Sequence, residues 1–334
     1  MTDVARAVGC SQATVSLVLN GVTGIKLSRS LRDRVIAVAG ELGYVLPSAR
    51  AEQAALGGGT IAFVVDQLAT SPEAVVAIEG ARQASWAAGQ VVLAAQTMSD
   101  PLMELRTLRA LTGRGTVGLI YMAIFTRRLV LPKLLRELDL PVVLLNCTTE
   151  DGAFPSVVPA EIGGGETATR HLIEQGHRRI ATIMGEPWMD AAKDRLKGYR
   201  RALTAANIEY DPALVLEGDW SASAGYAATV KLLALPRRPT AIFCQNDRTA
   251  IGCYEALKEA GLSIPGDISV VGYDDEEISQ HLHPPLTTVI LPHRAMGQWA
   301  VERLATAPDG ERPLHPVGLA CLLVERNSVA PPRR

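Results

Sequence analysis

From residue 60 onward, short apolar segments alternate with longer segments of helical periodicity, and this alternation limits the folds open to the chain. The first apolar segment, 61–65, precedes an amphipathic segment at 72–88, and the same order recurs down to 268–273. Apolar strands that alternate with helices form parallel sheets whose faces are covered by helices. Two such series, in a chain of 334 residues that is 48% hydrophobic, predict an α/β fold with two doubly wound lobes and a cleft between them.

Residues 4–20 have a different pattern, which is typical of two short helices joined by a tight turn. Val4 and Val8 share one helix face, Gly9 begins the turn, and Ser11 is a suitable N-cap for the second helix. The outward face of that helix carries small side chains that fit the major groove of DNA. These are Gln12, Ala13, Thr14, Ser16 and Leu17. A small helical bundle without a DNA partner has the same pattern, so the residues alone leave both interpretations open.

Several runs of residues resemble, in order and spacing, those of the lactose-repressor (LacI/GalR) family of transcription regulators. Near the N-terminus they are Asp3-Val4-Ala5, Gly9-Cys10-Ser11, Thr14-Val15-Ser16 and Leu42-Gly43-Tyr44. Further along they include residues 171–180, 195–199, 218–221, 246–252, 267–275, 284–289 and 324–328. The resemblance covers nearly the whole chain. It implies a three-helix helix-turn-helix head, a hinge, and an effector-binding core with two lobes of the periplasmic-binding-protein type.

The resemblance also implies domain boundaries. The head is expected at 1–46, the hinge at 47–59, and the effector-binding and dimerisation core at 60–334. Within the core, lobe 1 is expected to hold about 60–160 and 292–318, and lobe 2 about 161–291 and 319–330.

The DNA contacts implied by the resemblance lie on the second helix, the third helix and the hinge. Gln12 and Ala13 occupy positions that vary with operator sequence; the amide can pair with adenine and the methyl group can pack on thymine. Thr14 and Ser16 are expected on phosphates, and Leu17 stands where relatives often carry an Arg or His that touches a base. The complete set of candidates is Gln12, Ala13, Thr14, Ser16, Leu17, Asn20, Arg29, Arg50, Gln53 and Ala54.

The hinge departs from the family pattern. In the family it folds as a helix on operator DNA and inserts a Leu into the minor groove. Here Gln53 falls on that position and Leu56 follows three residues later, so we expect an atypical operator. Residues 1–56 carry six basic and four acidic side chains, and the remainder carries 27 and 31. This mildly basic head suits contact with phosphates.

Two candidate effector contacts follow from the resemblance. The planar guanidinium of Arg195 can hold two hydroxyls or a carboxylate, and the indole of Trp220 can pack against the apolar face of a pyranose. A surface ion pair is the alternative for Arg195, and a position in the core is the alternative for Trp220.

Polar residues that follow predicted strands are further candidates, because ligands of doubly wound folds bind at those strand ends. The amide of Asn246 offers a donor and an acceptor to a sugar diol, and the carboxylate of Asp274 accepts hydroxyl hydrogen bonds. Asp66 and Gln67 are candidates by position alone. Capping of the next helix is the alternative for Asn246, a role for which Asp247 is the stronger candidate.

One residue and two short runs near these candidates affect what the site is expected to bind. Ala160 lies near the place where relatives carry an effector-contacting Asp, so the ligand is expected to differ from the commonest sugars or to bind with a different tilt. The run Asp275-Glu276-Glu277 is expected to be a solvated acidic turn. Gly163-Gly164-Gly165 is expected to permit close helix packing rather than phosphate binding.

Composition excludes several other classes of protein. No apolar run approaches the length of a membrane span, no signal peptide is evident, and five scattered cysteines predict neither disulfides nor a zinc ribbon. Nucleophile-elbow, P-loop and HExxH motifs are absent, and His281-x-His283 is expected to be an ordinary loop. The sequence therefore predicts a cytoplasmic protein that is not an enzyme and binds no metal or cofactor.

Together these features predict a transcriptional repressor whose affinity for double-stranded operator DNA is controlled by a small, sugar-like effector. A homodimer is expected because two recognition helices meet successive major grooves, and the ending Pro331-Pro332-Arg333-Arg334 offers no heptad tail for a tetramer. A corepressor-dependent repressor or an activator of the same family stays open. So does a sugar-binding protein without a DNA partner, which the complete head argues against.

Overall fold

The computed structural model describes residues 2–10, 14–15, 18, 29–41, 58–68, 72–113, 115–306 and 315–333. In the head, α1 (Thr2–Val8) packs against α2 (Arg29–Glu41) through a small apolar core. That core buries Val4, Val8, Val15, Val18 and Val35. The predicted helices of the head are confirmed within the described residues.

Most of the predicted DNA contacts lie outside the described residues. They are Gln12, Ala13, Ser16, Leu17, Asn20, Arg50, Gln53 and Ala54. Thr14 belongs to a described helical segment and is half-buried, and Arg29 is the first residue of α2. Their contacts with DNA stay predictions.

The core alternates strands and helices as predicted. In chain order it contains β1 (Thr60–Val65), α3 (Pro72–Ala87), β2 (Val91–Gln96), α4 (Pro101–Leu111), β3 (Thr116–Arg128), α5 (Leu134–Glu137), β4 (Val142–Thr148), β5 (Ser156–Pro159), α6 (Glu161–Glu174), β6 (Ile180–Ile183), α7 (Asp190–Ala205), β7 (Val215–Leu216), α8 (Ala222–Leu233), β8 (Ala241–Cys244), α9 (Asp247–Glu259), β9 (Ser269–Val271), β10 (Thr288–Val289), α10 (His293–Thr306), β11 (Val317–Leu319) and β12 (Leu323–Val324). Two short 3₁₀ turns lie at Pro212–Leu214 and Glu277–Gln280.

The strands form two parallel sheets. The first has six strands in the order β11-β5-β4-β3-β1-β2, and the second has four in the order β7-β6-β8-β9. We call the six-stranded sheet with α3, α4 and α10 lobe 1, and the four-stranded sheet with α6–α9 lobe 2. β10 and β12 form a separate antiparallel pair. The chain crosses between the lobes after β5, before α10 and after β11, and the predicted α/β architecture is confirmed.

Apolar side chains cover both faces of each sheet. In lobe 1, Phe63 and Ile120 belong to one buried cluster and Leu119 and Leu144 to another. Lobe 2 likewise has two buried clusters. Each such side chain contributes about 1.5–3 kcal/mol when it is removed from water. Among the described helices, none combines the length and hydropathy that crossing a membrane requires.

Glycine lets three pairs of helices pack closely. A Cβ atom at Gly165 of α6 would collide with the carbonyl oxygen of Arg195, and one at Gly198 of α7 would collide with that of Ile162. The same reciprocal arrangement joins α8 to α9 through Gly225 and Gly252, and α3 to α10 through Gly80 and Gly297. The expectation that the Gly163–Gly165 run serves helix packing is confirmed at Gly165, whereas a Cβ at Gly164 would collide with the side chains of Tyr273 and Cys321.

Candidate functional site

A cavity of about 630 Å³ lies between the two lobes, near the carboxyl ends of their strands. Lobe 1 contributes Gln67, Glu73, Ile124, Phe125, Thr126, Asn146 and His293 to its lining. Lobe 2 contributes residues from the segments that follow β6, β7, β8 and β9, including Glu186, Trp188, Trp220, Arg248 and Glu276. A cavity of this size and mixed polarity suits a small ligand such as a monosaccharide.

Five of the six predicted effector contacts line this cavity. They are Gln67, Arg195, Trp220, Asn246 and Asp274. The sixth, Asp66, lies outside the lining because its carboxylate is occupied within lobe 1. Its Oδ1 accepts a hydrogen bond of 2.9 Å from the amide of Ile124, and its Oδ2 forms a 2.8 Å ion pair with Arg127.

Arg195 forms a buried ion pair with Glu161, the first residue of α6. Its Nε donates to Oε2 of Glu161 over 2.8 Å and its Nη2 donates to Oε1 over 3.0 Å. The hydroxyl of Tyr273 donates to the same Oε2 over 2.8 Å. The close contact of α6 with α7 makes this geometry possible. The alternative of a surface ion pair for Arg195 is therefore wrong, since both partners are at most 4% exposed.

Further groups hold the guanidinium of Arg195 in place. Its Nη1 donates to the carbonyl of Gln245 and lies 3.5 Å from Oδ1 of Asp274. Its Cζ is 3.7 Å from the ring centroid of Tyr273 and 5.4 Å from that of Trp220. Burial opposes the charge of Arg195, but Glu161, Tyr273 and Asp274 raise its pKa above the ordinary value.

Asn246 is fixed by two hydrogen bonds to the backbone. Its Oδ1 accepts from the amide of Thr249 over 2.9 Å, so that Asn246 is the N-cap of α9. Its Nδ2 donates to the carbonyl of Trp220 over 3.0 Å. The expectation that Asp247 caps this helix is wrong, because the buried carboxylate of Asp247 instead accepts from Thr288 and from the amide of Glu276.

The indole of Trp220 is half-buried: it lines the cavity and also packs against a small buried cluster that includes Met184 and Met189. It lies on Gly185, where a Cβ would collide with the ring, and its Nε1 donates to Sδ of Met189 over 3.0 Å. Three of the seven non-glycine residues with positive φ in the described ranges line the cavity, namely Asn146, Trp220 and Asp274. Such conformations cost about 1–3 kcal/mol each and cluster at functional sites.

Three carboxylates meet across the cleft. Glu73 of α3 belongs to lobe 1, Asp274 and Glu276 follow β9 in lobe 2, and oxygens of all three lie within 4.8 Å of one another. Burial raises the pKa of Glu73, and it raises that of Asp274 well above its ordinary value against the opposing effect of Arg195. The expectation of a solvated acidic turn is therefore wrong for Glu276, which pairs with Arg248 over 3.0 Å, and for Asp275, which pairs with Arg326.

These three carboxylates are the one group of potential metal ligands among the described residues. His281 and His283 are exposed and do not belong to it, in keeping with an ordinary loop. The carboxylates have oxygen donors that a divalent cation prefers, but Arg195 and Arg248 lie beside two of them.

His293 is the first residue of α10 and lines the same cavity. It is 3% exposed, and within the described part of the chain its Nε2 has no hydrogen-bond partner. Burial, together with the charge of Arg195, lowers the pKa of this imidazole to about 3. His293 is therefore neutral at pH 7 and retains an unused nitrogen.

Sequence reasoning missed several residues of the site. Glu161 directly follows Ala160, where the family's acidic residue is absent, so its position offered a signal. The two glutamates at the cleft, Glu73 and Glu276, and the imidazole of His293 had no such signal, because the fold brings them together from distant segments.

Comparison with known proteins gives two family matches. The sequence model described as "Bacterial regulatory proteins, lacI family" matches residues 1–47, and that described as "Periplasmic binding protein-like domain" matches residues 169–329. The HTH-type transcriptional repressor PurR of Aliivibrio fischeri is 33% identical over 305 residues, which cover 90% of this chain and 89% of that protein. The ribose operon repressor of Escherichia coli K12 is 33% identical over 304 residues, 91% of each chain.

Solved structures give the same result for the fold. A complex of the transcriptional regulator CelR with cellobiose is 31% identical, covers 98% of each chain and has a TM-score of 0.68. A LacI family transcriptional regulator from Enterococcus faecium with bound ribose is 27% identical and has a TM-score of 0.66, covering 82% of this chain and all of that one.

Proposed function

The chain belongs to the lacI family of bacterial regulatory proteins as a DNA-binding transcriptional repressor, and from this premise we propose that it binds operator DNA as a homodimer under the control of a sugar-like effector. The proposal includes action in the cytoplasm, where the DNA lies, and no enzymatic activity. The single observation that carries the effector part is the cavity between the lobes, in which Arg195, Trp220, Asn246 and Asp274 converge.

For the DNA side, we propose the division into a head at 1–46, a hinge at 47–59 and a two-lobed core. Gln12 and Ala13 read base edges in the major groove, Thr14 and Ser16 contact phosphates, and Gln53 replaces the usual wedge of the hinge. Two heads in one dimer would bind two half-sites of a near-palindrome. The match of residues 1–47 to the family and the helical packing of α1 and α2 support this part.

For the effector side, the indole of Trp220 offers a flat apolar face to a sugar ring, and Asp274 offers an acceptor for its hydroxyls. Arg195 contributes less directly, because Glu161 already occupies its Nε and Nη2. Beyond its two backbone hydrogen bonds, the amide of Asn246 can donate one more hydrogen bond and accept one more. Relatives with ribose in their name and structures with bound ribose or cellobiose support a sugar as the class of effector.

Effector binding would change the angle between the lobes and thereby the distance between the two hinges of the dimer. A difference of a few kcal/mol in effector affinity between the two states gives roughly 100-fold regulation. The sign of the response follows from which state the effector favours, so an inducer and a corepressor use the same geometry.

An electrophoretic mobility shift with DNA fragments from upstream of the protein's own gene tests the proposal. We expect a shifted complex whose stoichiometry is two chains per site, and a change in its amount when the effector is added. A thermal-shift screen of sugars identifies that effector, since a ligand at 100 times its Kd adds about 2.7 kcal/mol of stability. No shift with any fragment, with or without sugars, contradicts the proposal. Release of the complex by the effector identifies an inducer, and tightening identifies a corepressor.

A further inference from the structure

The cavity between the lobes is lined by more acidic than basic side chains. Six carboxylate side chains line it, against the two guanidinium groups of Arg195 and Arg248. Both arginines already face carboxylates of the same cavity, with Nε of Arg195 at 2.8 Å from Glu161 and Nε of Arg248 at 3.0 Å from Glu276. Among its described lining residues, the cavity therefore has no uncommitted cation to receive an anionic ligand.

Three of these acidic side chains face one another across the cleft. Glu73 of lobe 1 faces Asp274 and Glu276 of lobe 2, with oxygens of the three groups within 4.8 Å. Within the described part of the chain, no ion pair neutralises Glu73. Like charges at this distance oppose approach of the two lobes. A cation bound among them would remove that opposition and hold the lobes together.

The unpartnered imidazole of His293 is a second and independent observation. It is 3% exposed, lines the same cavity as the three carboxylates, and its Nε2 has no hydrogen-bond partner among the described residues. Because His293 is neutral, this nitrogen can accept a hydrogen bond from an N–H donor. A buried polar atom without a partner costs free energy until a ligand supplies one.

We propose that the effector carries a protonated amino group, as an amino sugar does, and that this group binds between Glu73, Asp274 and Glu276. The inference rests on the proposed function and specifies the class of effector. A divalent metal ion fits less well, because Arg195 and Arg248 stand 3.5 and 3.0 Å from two of the carboxylates and repel a doubly charged ion. The volume of about 630 Å³ also accommodates a whole sugar ring beside the amine.

Isothermal titration of the full chain with matched pairs of sugars tests the inference. The pairs are D-glucosamine with D-glucose and with N-acetyl-D-glucosamine, and D-galactosamine with its two counterparts; MgCl2 and CaCl2 are titrated alone. We expect one amino sugar to bind at least about tenfold more tightly than both of its uncharged counterparts, the size of one charge-assisted contact. A panel in which no amino sugar has this preference overturns the inference. Binding of Mg²⁺ or Ca²⁺ alone with an affinity equal to that of the best amino sugar overturns it as well.

Two variants and a matched control link the preference to the carboxylates. Glu73→Gln and Glu276→Gln each remove one charge, and each should reduce the preference for the amino sugar by about tenfold. Glu79→Gln removes a charge from the exposed surface of the same helix α3 and should leave the preference unchanged. A preference that persists in both cavity variants overturns the inference.

The outcomes also separate this inference from the proposed function. If an uncharged sugar changes operator binding and its amino counterpart does not, the proposed function is supported and the inference of an amino group on the effector is wrong. If the chain binds no DNA fragment under any condition, the proposed function itself fails.

Discussion

The two lobes present side chains to the cavity that are held to very different degrees. In lobe 2, Arg195 has hydrogen bonds to Glu161 and Gln245 and stacks on Tyr273, and Asn246 is tied to two backbone groups. In lobe 1, Phe125 is 39% exposed. Gln67 and Glu73 are partly exposed, and Glu73 has no ion pair within the described residues.

This difference indicates a division of roles. The polar groups of lobe 2 are positioned before any ligand arrives, which reduces the entropy lost on binding. The side chains of Gln67, Glu73 and Phe125 in lobe 1 are less restrained and can adjust when the cleft closes. Asn146 is the exception in lobe 1, because it has hydrogen bonds to Ala123, Ile124 and Thr126. We therefore expect substitutions in the lobe 2 network to lower folding stability, and substitutions at the partly exposed lobe 1 residues Gln67, Glu73 and Phe125 to alter ligand response instead.

The largest effect is expected from breaking the buried ion pair of lobe 2. Glu161→Gln leaves the guanidinium of Arg195 buried without its main counter-charge, and should lower the free energy of unfolding by about 3–5 kcal/mol. Chemical denaturation followed by circular dichroism measures the loss. Glu174→Gln is the control, because Glu174 lies at the other end of α6 with a side chain that is 64% exposed. Equal stability of the two variants would contradict the role given to this pair.

The next largest effect is expected at the close contact between α6 and α7. Gly165→Ala places a methyl group against the carbonyl of Arg195, and should cost up to about 3 kcal/mol because a backbone group cannot move aside. Gly163→Ala, two residues earlier on the same helix, meets open space and should stabilise by about 0.5–1 kcal/mol. Thermal unfolding of the two variants gives the comparison. A small loss at Gly165 would mean that the lobe 2 network tolerates movement of its helices.

An acid-dependent loss of stability is expected from His293 on the lobe 1 side. The pKa of its imidazole is lowered to about 3 in the folded protein, whereas the unfolded chain titrates near 6.5. Its contribution is therefore complete above pH 6.5 and is lost as pH falls, by about 2 kcal/mol at pH 5. Denaturation between pH 8 and pH 5 should show this loss as a difference between the parent protein and His293→Asn, because the raised pKa values of Asp247 and Asp274 act with the opposite sign in both proteins.

Two other histidines serve as comparisons for the loss of stability that His293 causes in acid. His177 in lobe 2 is also buried, but its ring nitrogens face Thr240, Ser269 and the carbonyl of Ala330. Burial lowers the pKa of His177 while the Ala330 carbonyl opposes the shift, so its part in the acid loss should be smaller. His281→Asn, at an exposed site, should leave the slope as it is. An unchanged slope in His293→Asn would assign the acid loss to other groups.

The smallest effect is expected from the aromatic wall of the cavity. Trp220→Ala removes a ring face and should weaken effector binding by about tenfold, so the operator complex should persist at effector concentrations that act on the parent protein. Titration calorimetry and mobility shift measure both parts. Trp86→Ala is the control, because Trp86 is exposed on α3 and does not line the cavity. Equal effector affinity in the two variants would remove Trp220 from the site.

The sequence predicted the elements of the fold wherever local periodicity determines them. The segments expected at 61–65 and 72–88 correspond to β1 at Thr60–Val65 and α3 at Pro72–Ala87. The strand expected at 117–122 continues as β3 to Arg128, because polar residues of its second half still pair with β4 after an irregularity in the register. That extension depends on a neighbouring strand, so a local pattern could not predict it.

The site was predictable to the extent that strand ends determine it. Trp220, Asn246 and Asp274 lie at the cavity because parallel strands end at a common edge. The partner of Arg195 was not predictable in the same way, since Glu161 is 34 residues away and an acidic residue at a helix start also interacts favourably with the helix dipole. The choice between Asn246 and Asp247 as the cap depended on which of two adjacent side chains Thr288 engages.

The close glycine contact between α3 and α10 defines a point about which α3 could tilt. Glu73 lies in the first turn of α3 and His293 is the first residue of α10, and the close backbone contacts at Gly80 and Gly297 oppose sliding of one helix along the other. With a rise of about 1.5 Å per residue, a tilt of about 5° around Gly80 moves each end of α3 by roughly 1 Å. Such a tilt would move Glu73 at the cleft and the exposed surface around Trp86 in opposite directions.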